Sequence, residues 1–443
     1  MARRSRPPIS IILDQLETKG QSGCAPNGTR WVIKGAPLGA HVTLQPQKKN
    51  KGRLISIDRL PEDHCEAPCA IFGICGGCQL QQMPYPKQVQ AKSQLVKRLF
   101  PDIHPIQDTV PSPIEYGYRN KIELTYGTKE YTPQPVAQQQ LGSYLGFHPR
   151  GWFSKIVSVH SCAIAASRMQ PIIAKLQNLK LNPAWDERAH QGVWRHVIIR
   201  EGETLLVSLV TSSELTEIEF DRVAQTLLEI KDVSCVNWIE TDRLSKVAQG
   251  TLKKSFGQPV MSVHIRQKKL TFPYDAFFQV NTPGLERLLD CIIQACGQET
   301  TLIDLYCGVG SIGIALSDHF SSIIGIELHE KSIVWAKKNA RANGVNGEWY
   351  AGSVETILPT LSLPRDAVLL VDPPRDGLHP KAAKFIAQQQ HSRLIYVACA
   401  PRALVRDRAI LEAGGWCLSK IWSVDLFPQT PHVEIVALFT KDS

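Results

Sequence analysis

The chain has 443 residues, enough for two or three domains that each bury a core. Its 43% hydrophobic and 21% charged content is ordinary for a folded globular protein, and its longest apolar runs fall far short of a membrane span. The N-terminus is basic, but the apolar stretch 9–13 is too short for a secretory signal, so a cytoplasmic location is expected. The net charge of +9 is uneven, with eleven Lys/Arg against three Asp/Glu in residues 1–60. Such an excess suits either a module that meets a polyanion or a solvated tail.

In chain order, residues 9–60 hold short alternating runs broken at Gly35, Pro37 and Gly39. That spacing predicts a small β-barrel over 1–62, a common nucleic-acid platform. Residues 63–100 read as a cysteine loop followed by a helix from Tyr85 to about Leu99. Cys69, Cys75 and Cys78 fall within ten residues, and Gly76 and Gly77 let the backbone wrap tightly. Soft thiolates in that pattern select zinc or an iron–sulfur cluster, and spacing alone does not choose between them. The fourth ligand is open between nearby Cys65 and distant Cys162. The spacing differs from the C-x3-C-x2-C arrangement of radical enzymes, so no radical chemistry is inferred. Without an export signal, the twelve cysteines are expected to be reduced thiols rather than disulfides.

Residues 101–270 alternate strands, near 119–126, 193–200, 204–210 and 233–240, with a helix near 217–230. A polar loop over 127–140 ends in Gln138-Gln139-Gln140. This region reads as a second α/β layer shaping a substrate groove. From 271 to 443 the pattern is β-α-β-α, with strands near 301–306, 323–327, 366–372 and 393–398 and a final antiparallel pair near 416–424 and 433–440. That order predicts a doubly wound parallel sheet with an antiparallel edge.

Ligands of such sheets bind beyond the carboxyl ends of the strands. Gly308-Val309-Gly310-Ser311-Ile312-Gly313 fits G-x-G-x-x-G, and Glu327 ends the next strand, a pattern that takes the adenosine of NAD or of S-adenosylmethionine. Asp372-Pro373-Pro374 and the strand-tip thiol of Cys399 have no role in hydride transfer, which favours the methyl donor. A buried structural cysteine is the plain alternative for a thiol standing alone. One substrate class gives the thiol a purpose. A thiolate adding at C6 of uracil turns C5 into a carbon nucleophile, and a base must then remove the C5 proton. Glu434, opening the last strand, is the candidate base, with a plain salt bridge as the alternative. Phe277-Phe278-Gln279-Val280-Asn281 offers amide contacts, or simply a strand end before a helix capped at Thr282-Pro283.

These segments together resemble the RNA uracil-5 (m5U) methyltransferase family. The matching elements are F-x-Q-x-N at 277–281, D-L-Y-C-G-x-G at 304–310, G-I-E at 325–327, D-P-P-R at 372–375, Cys399-x-Pro401 with Arg406-Asp407, and D-x-F-P-x-T-x-H-V-E at 425–434. The cysteine loop and Tyr118-Arg119-Asn120-Lys121 extend the match over most of 65–440. The resemblance implies an α/β fold with a Rossmann-like class I methyltransferase domain over 271–443 and a central α/β RNA-binding domain over 101–270. It also implies an N-terminal OB-type (TRAM) barrel like that of the 23S rRNA members. Cys399 would be the nucleophile and Glu434 the base, with Gln279, Tyr306, Glu327 and Asp372 around S-adenosylmethionine. A [4Fe-4S] cluster would sit on Cys69, Cys75, Cys78 and Cys162, with a structural or RNA-orienting role. The expected product is 5-methyluridine in structured RNA, 23S rRNA first and the tRNA T-loop second, with no membrane and no obligate protein partner. Ala398-Cys399-Ala400-Pro401 stands where the family usually reads S-C-N-P, and Ser311 and Ser353 depart similarly. A cytosine-5 RNA methyltransferase, a non-catalytic RNA-binding iron–sulfur protein and a nicotinamide enzyme are the other readings.

Overall fold

The computed structural model describes residues 6–133, 141–244, 247–298 and 300–441. Residues 1–5 and the second half of the polar loop, 134–140 with Gln138-Gln139-Gln140, lie outside the described residues.

Strands β1 (Ile9–Ile12), β2 (Gln15–Glu17), β3 (Gly20–Cys24), β4 (Arg30–Ile33), β5 (His41–Pro46) and β6 (Gly52–Arg59) form two three-stranded antiparallel sheets, ordered β1-β5-β6 and β2-β3-β4. Ile11, Leu13, Trp31, Ile33, Val42 and Leu44 make one small core between them. The sheets approach closely at Gly23, where a Cβ would stand 1.9 Å from the Ile12 carbonyl oxygen. Lys48, Lys49, Lys51, Arg53 and Arg59, on the β5–β6 connection and β6, are exposed.

Helix α1 (Tyr85–Leu99) accepts Pro86 in its first turn and places Lys97 and Arg98 against the negative end of its dipole. It is more than a connector. Its Leu95 and Val96, with Phe100, bury in one cluster with Leu305, Tyr396 and Phe439 of the C-terminal sheet. Each such side chain contributes about 1.5–3 kcal/mol.

The central sheet is built from β7 (Lys121–Gly127), β8 (Tyr144–Phe147), β9 (Val157–Ser158), β10 (Trp194–Glu201), β11 (Leu205–Thr211), β12 (Val233–Glu240) and β13 (Thr251–Phe256). Its order is β13-β12-β11-β10-β7-β8-β9, parallel only between β11 and β12. Helices α2 (Gln170–Leu179) and α3 (Glu217–Leu228) pack into its apolar core through residues such as Ile172, Leu176, Phe220 and Leu227. Thr216 caps α3 by accepting the Glu219 N–H, and Glu217 and Glu219 suit the positive end of the dipole. Arg200 of β10 donates to the Ala276 carbonyl at 2.6 Å, tying this layer to the next domain.

The hairpin β14 (Val260–Ile265) and β15 (Lys268–Pro273) straddles residue 270. Its Met261, Val263, Ile265, Leu270 and Phe272 bury with Leu285, Leu288 and Leu302, so it is packed into the C-terminal core. The sequence hides it because its turn holds Arg266 at φ +52° without the glycine or asparagine that usually marks such a turn.

Helix α4 (Thr282–Cys296) leads into the last domain, capped by the Asn281 side chain accepting the Gly284 N–H at 2.9 Å. There follow β16 (Thr301–Leu305), α5 (Ser311–Ala315), β17 (Ser322–Glu327), α6 (Glu330–Ala342), β18 (Gly347–Ala351), α7 (Val354–Ile357), β19 (Ala367–Val371), α8 (Pro380–Ala387), β20 (Arg393–Ala398), α9 (Pro401–Ala413), β21 (Cys417–Val424) and β22 (Glu434–Thr440). The order β18-β17-β16-β19-β20-β22-β21 is parallel through β20, and β22 pairs antiparallel with both neighbours. β18 escaped the sequence reading because only Trp349 of this short edge strand is buried. The chain order reverses between β16 and β19, which puts the ligand crevice at their carboxyl ends.

Gly325 in β17 supports that crevice from behind, since a Cβ there would lie 2.3 Å from the Trp349 ring and 3.0 Å from the Cys307 sulfur. Gly325→Ala should therefore overpack the core and lose about 1–3 kcal/mol of stability, read as a lower urea midpoint at unchanged slope.

Candidate active site

Strand register assembles the crevice. Leu305 pairs with both Ile326 and Val371, so the next residue, Tyr306, comes beside Glu327 and Asp372. On the other side Ala398 pairs with Ile435 in the antiparallel β20–β22 ladder, so the next step sets Cys399 opposite Glu434. Residues directly opposite in such ladders have Cβ atoms about 4.5–5.5 Å apart. Five of the six residues singled out as catalytic or cofactor-binding thus meet at one sheet edge.

The sixth, Gln279, arrives from before α4, its side-chain nitrogen 3.5 Å from an Asp372 oxygen. Asn120 fixes it by donating to the Gln279 carbonyl and the Thr282 hydroxyl, each at 3.0 Å. Tyr306 at φ +76° and Gly308 at φ +57° bend the chain out of β16. The Glu327 carboxylate accepts N–H groups from Gly308 at 3.1 Å and His329 at 2.9 Å. No atom lies within 4 Å of where a Gly308 Cβ would stand, so the loop leaves open space there. A bare backbone, a strand-end carboxylate and free space suit an adenosine-bearing ligand. Asp304, beneath the loop, accepts the Gly313 N–H at 3.2 Å and is pushed up to about 7 by burial and by Asp372. Burial likewise pushes Asp372 up to about 7.

Glu434 is 1% exposed, and neither carboxyl oxygen has a hydrogen-bond partner among the described residues. Burial, and then Asp372, push its pKa well above the usual carboxylate range, while Arg375 opposes. An unpartnered buried carboxyl is costly, and such groups cluster where a ligand supplies the missing contact. The half-buried Cys399 thiol is pushed up to about 11 by burial, then by Glu434 and Asp372, against Arg375. Helix α9 begins two residues later, at Pro401. Ala400 occupies the N-cap without a side-chain cap, which is what the missing asparagine would have offered.

The turn before Glu434 is anchored from distant parts of the chain. Lys92 and Asp425, both with fully buried side chains, pair at 2.6 Å, and Lys92 also donates to the Phe427 carbonyl at 3.2 Å. Asn281 donates to the Leu426 carbonyl and Tyr118 to the Pro428 carbonyl, each at 3.0 Å. The loop after Asp372 is held by Asp407, which accepts the Leu378 N–H and the Tyr396 hydroxyl, each at 2.7 Å. The Arg406-Asp407 pair of the sequence motif is thus a buttress.

Cys69, Cys75, Cys78 and Cys162 lie within electrostatic reach of one another. Burial pushes Cys75 up to about 11 and Cys78 up to about 12, and both feel Cys162 and Cys69. The Cys65 sulfur donates to the Gln81 carbonyl at 3.3 Å. Among the described residues, no three His, Cys, Asp or Glu side chains converge closely enough to hold a single metal ion.

Arg375 and Tyr118 stand in matching sequence segments but carry no role there, and Lys92, Gln88 and Gln429 are not singled out by the sequence. One signal was present. Gln88 and Lys92 stand four residues apart on the helix face that continues through Leu95 and Val96, so two polar residues occupy a core-facing stripe.

The chain matches the family model described as tRNA (Uracil-5-)-methyltransferase over residues 85–348 and 364–442. An uncharacterized RNA methyltransferase of Caldanaerobacter subterraneus is 30% identical over 460 residues, covering 98% of each chain. Another, of Clostridium tetani, is 31% identical over 469 residues and covers 100% of both. The structure of Pyrococcus abyssi tRNA (uracil-54, C5)-methyltransferase with S-adenosyl-L-homocysteine has a similar fold, with a TM-score of 0.77 and 23% identity over 98% of this chain and 99% of that one.

The raised value of Asp372 fixes a sign. From 3.8 to about 7 the folded state holds this proton while the unfolded state releases it, so its contribution is present at low pH and lost as pH rises. Asp372→Asn should match the parent near pH 4 and become progressively more stable than it up to about pH 7, measured as urea midpoints across that range.

Proposed function

The chain belongs to the tRNA (uracil-5-)-methyltransferase family, and on that premise we propose that it transfers a methyl group from S-adenosylmethionine to C5 of a uridine in structured RNA, using Cys399 as nucleophile and Glu434 as base. The observation that carries this reading is the buried Glu434 carboxyl, without a hydrogen-bond partner and facing Cys399 across the ladder. In this mechanism Glu327 takes the ribose hydroxyls, Gly308 leaves room for the adenosine, and Gln279, Tyr306 and Asp372 line the approach to the methyl group. The bound donor supplies a methyl on a cationic sulfur. The Cys399 thiolate adds to C6, and the electron pair displaced onto C5 takes that methyl as its bond to the donor sulfur breaks, the bonding pair staying on that sulfur and S-adenosylhomocysteine departing. Glu434 then removes the C5 proton, the C5–C6 double bond re-forms and the thiolate leaves. Arg375 opposes the upward shifts of both reacting groups.

The four cysteines suit a [4Fe-4S] cluster better than a single ion, because a polynuclear cluster spreads its thiolates wider than one metal does. On this reading Cys69, Cys75, Cys78 and Cys162 hold it. The methyl transfer needs no electron, so the cluster's part is to shape the loop.

Residues 1–62 would then be the TRAM-type module, 63–100 the cluster loop with α1, 101–270 the RNA-binding layer and 271–443 the methyltransferase domain. The exposed lysines and arginines of the β5–β6 connection and β6 suit phosphates. Trp152 and Phe153, 58% and 66% exposed beside Lys155, suit unpaired bases. The N-terminal module and cysteine loop favour 23S rRNA by resemblance. The tRNA T-loop is the second reading, since the Pyrococcus protein, a tRNA enzyme by its name, covers the same full length. Among the described residues no helix is long and apolar enough to cross a membrane. A cytoplasmic location is part of the proposal and rests on the RNA substrate it assigns.

Mixing the protein with S-adenosylmethionine and 5-fluorouridine-substituted ribosomal or transfer RNA should trap a methylated covalent adduct on Cys399, because fluorine cannot leave as a cation. Cys399→Ala should abolish both adduct and methylation, and substantial turnover by that variant would refute the nucleophile. Glu434→Gln should methylate ordinary RNA but stall as a covalent complex seen by intact mass, and rapid product release would exclude Glu434 as the base. Mapping the methylated fragments of the two RNAs decides between the targets.

A further inference from the structure

The cysteine loop meets the turn before Glu434 at Gln429. Directly after Cys78, the backbone N–H groups of Gln79 and Leu80 both donate to the Gln429 carbonyl, at 2.9 and 3.0 Å. From α1, Gln88 completes the clamp, accepting the Gln429 N–H at 3.0 Å and donating to the Gln429 side-chain oxygen at 2.9 Å. The same Gln88 amide donates to the Leu80 and Met83 carbonyls, at 3.1 and 2.9 Å, so the clamp is continuous with the loop. Both glutamines are 1% exposed, and Gln429 is held at φ +68°, a conformation that a non-glycine residue keeps only when its surroundings impose it.

Gln429 lies five residues before Glu434, with little slack between. The Thr430 hydroxyl donates to the Phe427 carbonyl at 2.8 Å, the His432 N–H donates to the Thr430 hydroxyl at 3.3 Å, and Val433 is buried. A shift at Gln429 therefore passes to the Glu434 carboxylate. None of the clamp's hydrogen bonds reaches Cys399 or the Gly308 loop.

We propose that Gln88 and Gln429 are positioning residues through which the cysteine loop sets the Glu434 carboxylate over C5, so that the loop governs proton abstraction and product release but not thiol attack or methyl transfer. This rests on the uracil-5 methyl-transfer reading and assigns the loop a step within it. In that step the C5–H bond breaks and its proton passes to a Glu434 oxygen. The bonding pair forms the C5–C6 double bond, and the C6–S bond breaks with its pair returning to Cys399. A displaced carboxylate leaves the earlier steps intact and stalls the chain as a methylated adduct.

The test separates the two chemical events in single turnover. Ribosomal and transfer RNA transcripts carrying [5-3H]uridine are mixed with full-length protein and [14C-methyl]S-adenosylmethionine. Carbon-14 on RNA reports methyl transfer, and tritium released to water reports proton abstraction. Gln88→Leu should incorporate methyl within about twofold of the parent but release tritium roughly ten- to a hundredfold more slowly, with adduct accumulating, since a small misplacement costs rate on that scale. Tyr118→Phe, which deletes only the hydroxyl that binds the Pro428 carbonyl, should show the same imbalance to a smaller degree and answers the question if Gln88→Leu folds poorly. Equal slowing of both signals, or no change in either, in a folded variant that binds S-adenosylmethionine would overturn the proposal. Absence of methyl incorporation by the parent would instead sink the reading beneath it.

Discussion

The active crevice depends on the reversal of one strand. In a parallel sheet every strand ends at the same edge, so an edge crevice receives only strand tips and loops. β22 runs the other way and begins where the others finish. Its first residue, Glu434, enters the crevice in register opposite Cys399, and both are continuous with a ladder of six residue pairs between β20 and β22. Most of those residues are fully buried, and a one-residue slip would send the side chains of each core layer into the other. The separation of Cys399 and Glu434 is thereby a property of the sheet, and only the final placement of the Glu434 carboxyl is left to the turn before it.

That arrangement gathers like charges. Asp304, Asp372 and Glu434 are all raised by burial, and Asp372 raises both of the others. An ordinary interior would replace such groups with apolar ones or pair each with a cation. Here Arg375 is the cation that opposes the shifts at Glu434 and Cys399. Carboxyls raised in this way give up their protons more readily when a cation enters beside them, so the crevice suits a ligand that carries positive charge, as a sulfonium methyl donor does. The surrounding core supplies the stability that the crevice forgoes. The buried Lys92–Asp425 pair acts differently: removing one partner would cost about 3–5 kcal/mol because the other charge would stay buried alone.

How much was legible follows from what kind of pattern each part leaves. β16, β17, β19 and β20 show as apolar runs ending in polar or glycine residues, and Tyr306, Glu327, Asp372 and Cys399 are the residues at or just beyond those ends. The motif residues were therefore visible together with the geometry that unites them. β18 buries one side chain and the β14–β15 turn lacks a turn residue, so neither leaves a periodic or punctuated signal. The polar anchors are harder still. Gln88 and Gln429 are 341 residues apart, and Lys92 and Asp425 are 333 apart, and a single sequence contains nothing that pairs such positions. Lys92 and Gln88 do break the apolar stripe of α1, a sign that something polar must meet them, though not what.

The position of α1 explains why the catalytic turn is anchored by residues so early in the chain. It precedes the central layer in sequence yet packs beneath the C-terminal sheet, so the loop before it is caught between modules. On one side the loop holds Gln429. On the other, Cys75 bridges to Pro149, and Arg150 donates to the Cys78 carbonyl at 3.3 Å while its guanidinium lies against Gly35 of the N-terminal module. The 148–155 turn that carries Trp152 and Phe153 is therefore joined through this loop to the turn that carries the base. A surface contact that shifted either outer module would have to deform the cysteine loop or pass its strain to Gln429.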